Sequence, residues 1–218
     1  MTPGFLSSAR VLFVALVSLS GAAGAVSLAL PGRIANPDAV KSYFGTLDGV
    51  VLWLSNMRDG KVVGRAVIDP HDGSFHLPLP ITPPTPHRPY EVCPGPSVKP
   101  ARILTYTPET MMLYNRRTDK AIGPVMQADN PRNPTRIVNY VYSATPASVR
   151  GRCDSMNIEY HLKLRRGWNA VETSSVSTPR GMTVLVRNAT TRLPFWVTGD
   201  LKFTQVRQVL PASFFQAL

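Results

Sequence analysis

The sequence predicts an all-β protein that folds as an antiparallel β-sandwich, and three observations lead to this prediction. Many short segments rich in Val, Ile, Thr, Tyr and Phe are separated by Gly, Pro, Asn, Asp and Ser, a spacing typical of sandwiches and barrels. Apolar and polar residues alternate through Met156–Arg165 (MNIEYHLKLR), as they do in a strand with one buried face. No segment after residue 45 shows the apolar periodicity of an amphipathic helix.

The stretch Gly60–Pro80 (GKVVGRAVIDPHDGSFHLPLP) is the clearest single element of this pattern. It is predicted to form a strand, a tight turn and a second strand, which together make a β-hairpin. In the second arm Phe75, Leu77 and Leu79 share one face. Gly73 supplies the positive φ angle that such a turn requires.

A short helix and an apolar strand are predicted before this stretch, and a long connection after it. Asn36 and Pro37 suit the N-cap and first position of a helical turn that runs through Tyr43. Gly49–Ser55 (GVVLWLS) is the strand. Residues 81–101 contain seven prolines, too many for a central strand or a helix, so the segment is predicted to be an extended loop. A Pro-rich recognition segment is the alternative.

The second half of the chain is predicted to consist of strands joined by turns. The unbroken apolar runs at 137–138 and 184–186 indicate central strands. The ten predicted extended segments are Arg102–Thr107, Met111–Tyr114, Lys120–Met126, Arg136–Ser143, Ser148–Cys153, Met156–Arg165, Trp168–Ser174, Met182–Asn188, Phe195–Thr198 and Leu201–Val209.

Residues 1–25 are predicted to be a secretory signal peptide. A short segment carrying Arg10 precedes an apolar run, and small residues lead to a cleavage point after Ala25, which is the order of such a signal. An uncleaved membrane anchor is the alternative. Residues 26–218 are then expected to form one β-sandwich domain in the periplasm, in the cell envelope or outside the cell, with no transmembrane span after cleavage.

The charge of the chain favours an anionic partner. The formal charge is +11, and removal of residues 1–25 takes away one arginine and leaves +10. Such a charge favours anionic lipid, acidic glycans, an acidic protein surface or nucleic acid. The basic residues form no run and accompany no nucleic-acid-binding motif. An anionic envelope surface or a larger envelope protein is therefore the expected partner, and specific nucleic-acid binding is not expected.

Cys93 and Cys153 are the two cysteines of the chain. In an exported protein they are expected to form one disulfide, which would hold the Pro-rich loop at 81–101 against the domain. Two free thiols and two metal ligands are the alternatives. No Cys-x-x-Cys pair is present, so redox catalysis is not expected.

Residues 49–80, which end in the pattern G-x-V-x-G-x-A-x-I-D-x-x-x-G-x-F-x-L-x-L-P, resemble the carboxypeptidase-regulatory-like or transthyretin-like β-sandwich modules of exported bacterial proteins. The stretch Leu162–Glu172 (LKLRRGWNAVE) is similar to a strand–turn–strand found late in small exported proteins of this kind. The resemblance implies an immunoglobulin-like sandwich with an adhesive, structural or accessory role. It carries over no catalytic residues.

The four histidines are candidate metal ligands. His71 and His76 lie in the predicted hairpin, His87 lies in the Pro-rich loop, and His161 lies on the polar face of a strand. If they converge in an oxidising compartment, they would suit Cu²⁺ or Zn²⁺. A sandwich with one disulfide, a long loop and a basic surface is architecturally similar to copper/zinc superoxide dismutase, although the His-x-His strand motif of that family is missing. The alternative is four unrelated surface histidines.

Two further groups of residues are candidate partner-binding sites. Phe214 and Phe215 lie in the C-terminal segment SFFQAL, which follows a proline and is expected to leave the sheet and be exposed. Arg165 and Arg166 form one of the few basic pairs. Three tryptophans could join the two phenylalanines in an exposed aromatic platform, although strand aromatics more often belong to the core.

Two functional hypotheses follow. In the first, the protein is a non-enzymatic β-sandwich of the cell envelope, a structural or binding accessory subunit for an anionic surface or a larger envelope protein. In the second, it is a secreted copper-binding enzyme of superoxide dismutase type that uses the histidine cluster.

Overall fold

The computed structural model describes residues 28–56, 60–84, 87–179, 181–210 and 212–215. The predicted signal peptide lies outside these residues. Within these ranges, two helices, α1 (Pro37–Phe44) and α2 (Val206–Val209), and a 3₁₀ turn at Ala212–Phe214 accompany the strands. The strands are β1 (Leu28–Arg33), β2 (Val50–Asn56), β3 (Lys61–Val67), β4 (Ser74–Leu79), β5 (Arg88–Pro89), β6 (Ser97–Lys99), β7 (Leu104–Tyr106), β8 (Thr110–Asn115), β9 (Lys120–Ala128), β10 (Arg136–Ser143), β11 (Ala147–Arg152), β12 (Ile158–Leu164), β13 (Gly167–Thr178), β14 (Gly181–Asn188) and β15 (Phe195–Thr204).

The strands form one large sheet and one small sheet, which confirms the all-β, sandwich-like fold class. The large sheet runs in the order β3-β2-β8-β9-β10-β13-β14-β12-β11-β6, with β15 on β9 and with β7 and β5 branching from β10. The small sheet consists of β1 and β4. One pair, β12 with β14, is parallel, although only antiparallel pairs were expected. The β13–β14 hairpin lies between β10 and β12, so β14 runs beside β12 in the same direction.

The prediction of a hairpin at Gly60–Pro80 is wrong in its pairing. The tight turn is present, with Gly73 at φ 76° and a hydrogen bond from the Asp69 amide to the Ser74 carbonyl at 2.8 Å. However, β3 pairs with β2 and β4 pairs with β1, so the turn connects the two sheets. A Cβ atom at Gly64 would lie 2.5 Å from the Pro78 carbonyl oxygen. The two strands therefore cross in close contact instead of sharing a ladder.

Three apolar cores among the described residues account for the positions of these layers. The first lies between the small sheet and the large sheet, and includes Phe75, Leu77 and Leu79 of β4 together with Leu52 of β2. The second lies beneath the Pro-rich loop, and the third lies beneath the C-terminal residues. Since β2 contributes to the first and third cores, it is buried on both faces, as its continuous apolar sequence indicates.

The Pro-rich loop and its disulfide are confirmed. Between residues 81 and 101 the described residues contribute only the short strands β5 and β6, because proline removes the donors that a longer ladder needs. Cys93 is bonded to Cys153, with 5.7 Å between their Cα atoms. Tyr90, Val92 and Val98 of this loop pack on the second core. The disulfide thus holds the loop over one face of the large sheet.

The predicted helix at Asn36–Tyr43 is present, and one predicted strand ends in a second, short helix. Helix α1 begins at Pro37, as expected, but the Asn36 side chain makes no capping hydrogen bond. Its amide instead pairs with the backbone of Val197 in β15, at 2.8 and 3.0 Å. The strand predicted to continue to Val209 ends at Thr204 and is followed by α2. No helix among the described residues is long and apolar enough to cross a membrane.

Candidate functional site: a basic sheet face

A row of charged side chains crosses four neighbouring strands of the large sheet. Arg150 of β11 is paired with His161 of β12, and His161 is paired with Arg187 of β14. Arg187 is in turn paired with Glu172 of β13. Residues paired in this way point to the same face of a sheet. The row therefore contains two arginines and one histidine on adjacent strands, and it ends in a single carboxylate.

Further cations flank this row on the same face, because side chains at alternate positions along a strand point the same way. Arg152 is paired with Glu159 on one side of the row, and Arg136 is paired with Ser174. Lys163 and Lys99 are both paired with Ser148 on the other side. We call this surface the basic face. Its six cations are Lys99, Arg136, Arg150, Arg152, Lys163 and Arg187, and its carboxylates are Glu159 and Glu172.

The opposite face of the same strands is apolar and buried. Val149 of β11, Leu162 of β12 and Val186 of β14 belong to the second core beneath the Pro-rich loop. Each lies next to a charged residue in the sequence, so the alternation along the strands separates the two faces. The core fixes the plane of the sheet, and the cations are thereby held on its outer side.

Glu172 anchors the buried end of the basic face. Its side chain is fully buried and accepts a hydrogen bond from Arg136 Nη2 at 2.6 Å. Arg187 donates from Nη2 and Nε to the other carboxylate oxygen, at 2.9 and 3.2 Å. Burial alone would raise the pKa of Glu172, but the hydrogen bonds from the two arginines outweigh it and hold the pKa below its ordinary value. Glu172 is therefore an anion that orients two guanidinium groups.

The polar groups around Glu172 are only partly satisfied by hydrogen bonds. Arg136 Nη2 also donates to Thr191 Oγ1 at 2.6 Å, whereas its Nε and the Ser174 hydroxyl are buried without a hydrogen-bond partner among the described residues. Unpartnered buried groups oppose folding. Buried ion pairs are also weak evidence for stability. The hydrogen bonds to Glu172 hold the guanidinium groups of Arg136 and Arg187 in fixed positions at the edge of the basic face.

His161 is the one histidine on the basic face. Its Nε2 lies 2.7 Å from Glu159 Oε1, and both side chains are about two-fifths exposed. Arg150 and Lys163 adjoin His161 on the same face, and neither side chain has a hydrogen-bond or ion-pair partner among the described residues. The His161–Glu159 pair therefore lies beside two cations whose side chains have no polar partner among the described residues.

The four histidines do not form the cluster expected from the sequence. His71 is exposed in the turn, and His76 lies on β4, where it is paired with Pro31 in the small sheet. His87 packs against Tyr142, with 5.4 Å between the ring centroids. His161 lies on β12 in the large sheet. The prediction assumed that the strands carrying His76 and His161 are neighbours, and they belong to different sheets.

A metal site is also not found from other ligand combinations. Within the described ranges, no group of three or more His, Cys, Asp or Glu residues is placed to hold a metal ion. The carboxylates of the turn before β4 have local roles, since Asp69 and Asp72 accept hydrogen bonds from the amides of His71 and Ser74, both at 2.8 Å. The copper hypothesis therefore has no set of ligands in this part of the chain.

The two phenylalanines of the C-terminal segment pack against the domain, and residues 216–218 of the predicted docking segment lie outside the described residues. Phe214 is only 1% exposed, and its ring packs on Trp53 with 5.6 Å between the centroids. Phe215 contacts Trp53 and Tyr114, each at 5.7 Å. The expectation that this segment is exposed is wrong for Phe214, because the outer face of β2 is apolar and the C-terminal residues cover it. Trp53 is fully buried and belongs to no exposed platform.

Arg165 and Arg166 are exposed at the turn between β12 and β13. Arg165 lies two residues after Lys163, so it adjoins the end of the basic face without belonging to the paired rows. The neighbouring Gly-Trp-Asn sequence has a structural role. The Asn169 amide donates to the carbonyl groups of Arg165 and Gly167, both at 2.8 Å, and Trp168 Nε1 donates to the Pro80 carbonyl at 2.7 Å.

The sequence contained only part of the signal for the basic face. The alternation in Met156–Arg165 places His161, Lys163 and Arg165 on one side of a strand. Arg150, Arg187 and Arg136 lie on other strands, and their positions relative to that side depend on pairing over long distances in the chain.

Comparison with protein-family models, with curated proteins and with solved structures finds no match for this chain.

Proposed function

We propose that the protein is an exported, non-enzymatic β-sandwich of the cell envelope, and that its basic face binds an anionic membrane surface as a binding accessory. The single observation that supports this most directly is the row Arg150–His161–Arg187 on three adjacent strands. Arg150 and Arg187 lie on either side of His161 in this row. Their fixed positive charges would attract an anionic surface that lies across the row.

The chain itself provides little compensating charge. The basic face contains two carboxylates against six cations, and one of them, Glu172, is buried. The described residues of the basic face therefore have an excess of four cations, and the counter-charge is expected to come from another molecule.

A broad and regular sheet face suits an extended flat surface. Each Lys or Arg near an anionic leaflet contributes about 1 kcal/mol of binding energy. The excess of four cations on the basic face would then give about 4 kcal/mol, which corresponds to a dissociation constant of about 1 mM. Such binding is reversible and peripheral. It would suit an accessory protein that also contacts a larger envelope protein.

Two features support an envelope location. Residues 1–25 have the order of a secretory signal peptide. The Cys93–Cys153 disulfide is typical of proteins that fold in an oxidising compartment. The resemblance of residues 49–80 to modules of exported bacterial proteins points the same way and stays a prediction.

The test is co-sedimentation of the mature protein with vesicles that contain phosphatidylglycerol, compared with vesicles of phosphatidylcholine alone. Binding is expected only to the anionic vesicles, and it should weaken as salt is added, because salt screens exposed charges. The double variant Lys99→Gln/Arg152→Gln removes two cations of the basic face and should weaken binding. The matched control Lys41→Gln/Arg132→Gln removes two exposed cations elsewhere. Equal loss in both variants, or no binding by the wild type, would contradict the proposal.

A further inference from the structure

Four polar side chains on β11 and β12 enclose a depression within the basic face. Ser148 is paired with Lys163 and Arg150 is paired with His161, so the four side chains occupy the corners of a rectangle on one face. Strands lie about 4.8 Å apart, and alternate residues lie about 7 Å apart along each strand. The depression between them has a volume of about 360 Å³, and Val149 and Leu162 also line it.

The groups around this depression match an oxyanion. Arg150 presents a planar guanidinium that can bind two oxygens at once, Lys163 presents an ammonium, and the Ser148 hydroxyl can donate a hydrogen bond. Arg150 and Lys163 have no hydrogen-bond or ion-pair partner among the described residues. The one nearby acid, Glu159, is held by His161 at 2.7 Å. Two free cations and a hydroxyl therefore surround one open space.

We propose that this depression binds a phosphomonoester group. A phosphomonoester carries a charge between −1.5 and −2 near neutral pH and has three terminal acceptor oxygens, so it can accept from Arg150, Lys163 and Ser148 together. A phosphodiester has one negative charge and two terminal oxygens, and a carboxylate likewise has one charge and two oxygens. The depression opens to solvent, so a phosphate that remains attached to a larger molecule can enter. The inference rests on the proposed function and names the headgroup that the basic face would prefer.

The experiment compares vesicles that contain phosphatidic acid with vesicles that contain phosphatidylglycerol at equal surface charge. Phosphatidic acid has a phosphomonoester headgroup, and phosphatidylglycerol has a phosphodiester. The wild type is expected to prefer phosphatidic acid by about tenfold in affinity, which corresponds to 1.4 kcal/mol. Arg150→Gln should abolish this preference. Arg152 lies two residues from Arg150 on the same face. The matched variant Arg152→Gln should weaken binding to both kinds of vesicle and leave the ratio of the two affinities unchanged.

Inorganic phosphate provides a second measurement that needs no membrane. Titration should shift the backbone amide resonances of Ser148, Arg150, His161 and Lys163, and Arg150→Gln should remove the shifts. Arg132→Gln, an exposed cation outside the basic face, should leave them unchanged. Acetate should produce no comparable shift.

The outcomes separate the two proposals. Equal affinity for the two anionic vesicles, with no phosphate shifts at the depression, would overturn the phosphomonoester site and leave the membrane proposal standing. Phosphate shifts without binding to either vesicle would leave the site standing as one for free phosphate and would overturn the membrane proposal. Retention of the phosphatidic acid preference by Arg150→Gln would also overturn the assignment of the site to this depression.

Discussion

Arg187 donates two hydrogen bonds, from Nη2 at 2.9 Å and from Nε at 3.2 Å, to one carboxylate oxygen of Glu172. The other oxygen of Glu172 accepts from Arg136. One buried carboxylate therefore fixes guanidinium groups from two strands, β14 and β10. The contribution of this arrangement to the free energy of unfolding can be measured by replacing Glu172.

Replacing Glu172 with Gln should destabilise the protein strongly. The change leaves two arginines without their counter-charge, and breaking a buried pair costs about 3–5 kcal/mol. Because both arginine side chains are about one-third exposed, a loss of about 3 kcal/mol, at the lower end of that range, is expected. Urea unfolding measures the change. Glu159→Gln, which removes an exposed pair, should cost less than about 1 kcal/mol, and equal losses in the two variants would contradict this account.

Acidification should remove the contribution of Glu172. The pKa of this carboxyl is lower in the folded protein than in the unfolded chain, where it is near 4.5. Its stabilising effect is therefore fully present above the unfolded value and is lost as the pH falls through the folded value. The free energy of unfolding of Glu172→Gln should fall less steeply than that of the wild type in this acidic range. Parallel curves for the two proteins would show that Glu172 is not held as an anion.

Alkaline conditions should destabilise the fold through two half-buried tyrosines. Burial raises the pKa of Tyr90 and of Tyr140 to about 12, from 10.0 in the unfolded chain. The folded state favours the neutral phenol, so this stability is fully present below pH 10.0 and is lost as the pH rises towards about 12. Tyr140→Phe should show a shallower alkaline loss of stability. Titration of tyrosinate absorbance should show one fewer late-ionising phenol in this variant than in the wild type.

Removal of the disulfide should loosen the Pro-rich loop. Cys93 and Cys153 are separated by 60 residues in the sequence, and a cross-link over such a distance stabilises by about 3–4 kcal/mol through the unfolded state. The double variant Cys93→Ser/Cys153→Ser should lose about this much in urea unfolding. Hydrogen exchange should also become faster at β6, which belongs to the loop and pairs with β11. Unchanged exchange there would show that packing alone holds the loop.

The C-terminal phenylalanines should affect stability and not binding. Phe214 is buried against Trp53, and replacing a buried Phe with Ala typically costs about 3–5 kcal/mol. Phe214→Ala should therefore lower the unfolding free energy, and vesicle binding measured under folding conditions should be unchanged. Phe215→Ala should have a smaller effect, because Phe215 is only partly buried. Loss of vesicle binding by folded Phe214→Ala would restore a docking role for this segment.

Local patterns predicted the elements of the fold well. The alternation in Met156–Arg165 corresponds to β12, and the proline density at 81–101 corresponds to a loop with only two short strands. The pairing of the strands could not be predicted as well from the sequence. The sequence of Gly60–Pro80 fits a hairpin locally, but the apolar face of β4 is buried against the large sheet, and β4 therefore pairs with β1.

Composition and short-range periodicity were enough to predict the charge of the protein, its β character and the cysteine pair that forms the disulfide. Which charges lie together on one face depends on the tertiary structure. Arg136, Arg150 and Arg187 are far apart in the chain, and strand pairing brings them to one face beside His161. Strand pairing also placed His76 and His161 in different sheets. Phe214 is buried because burial of the apolar outer face of β2 is favourable.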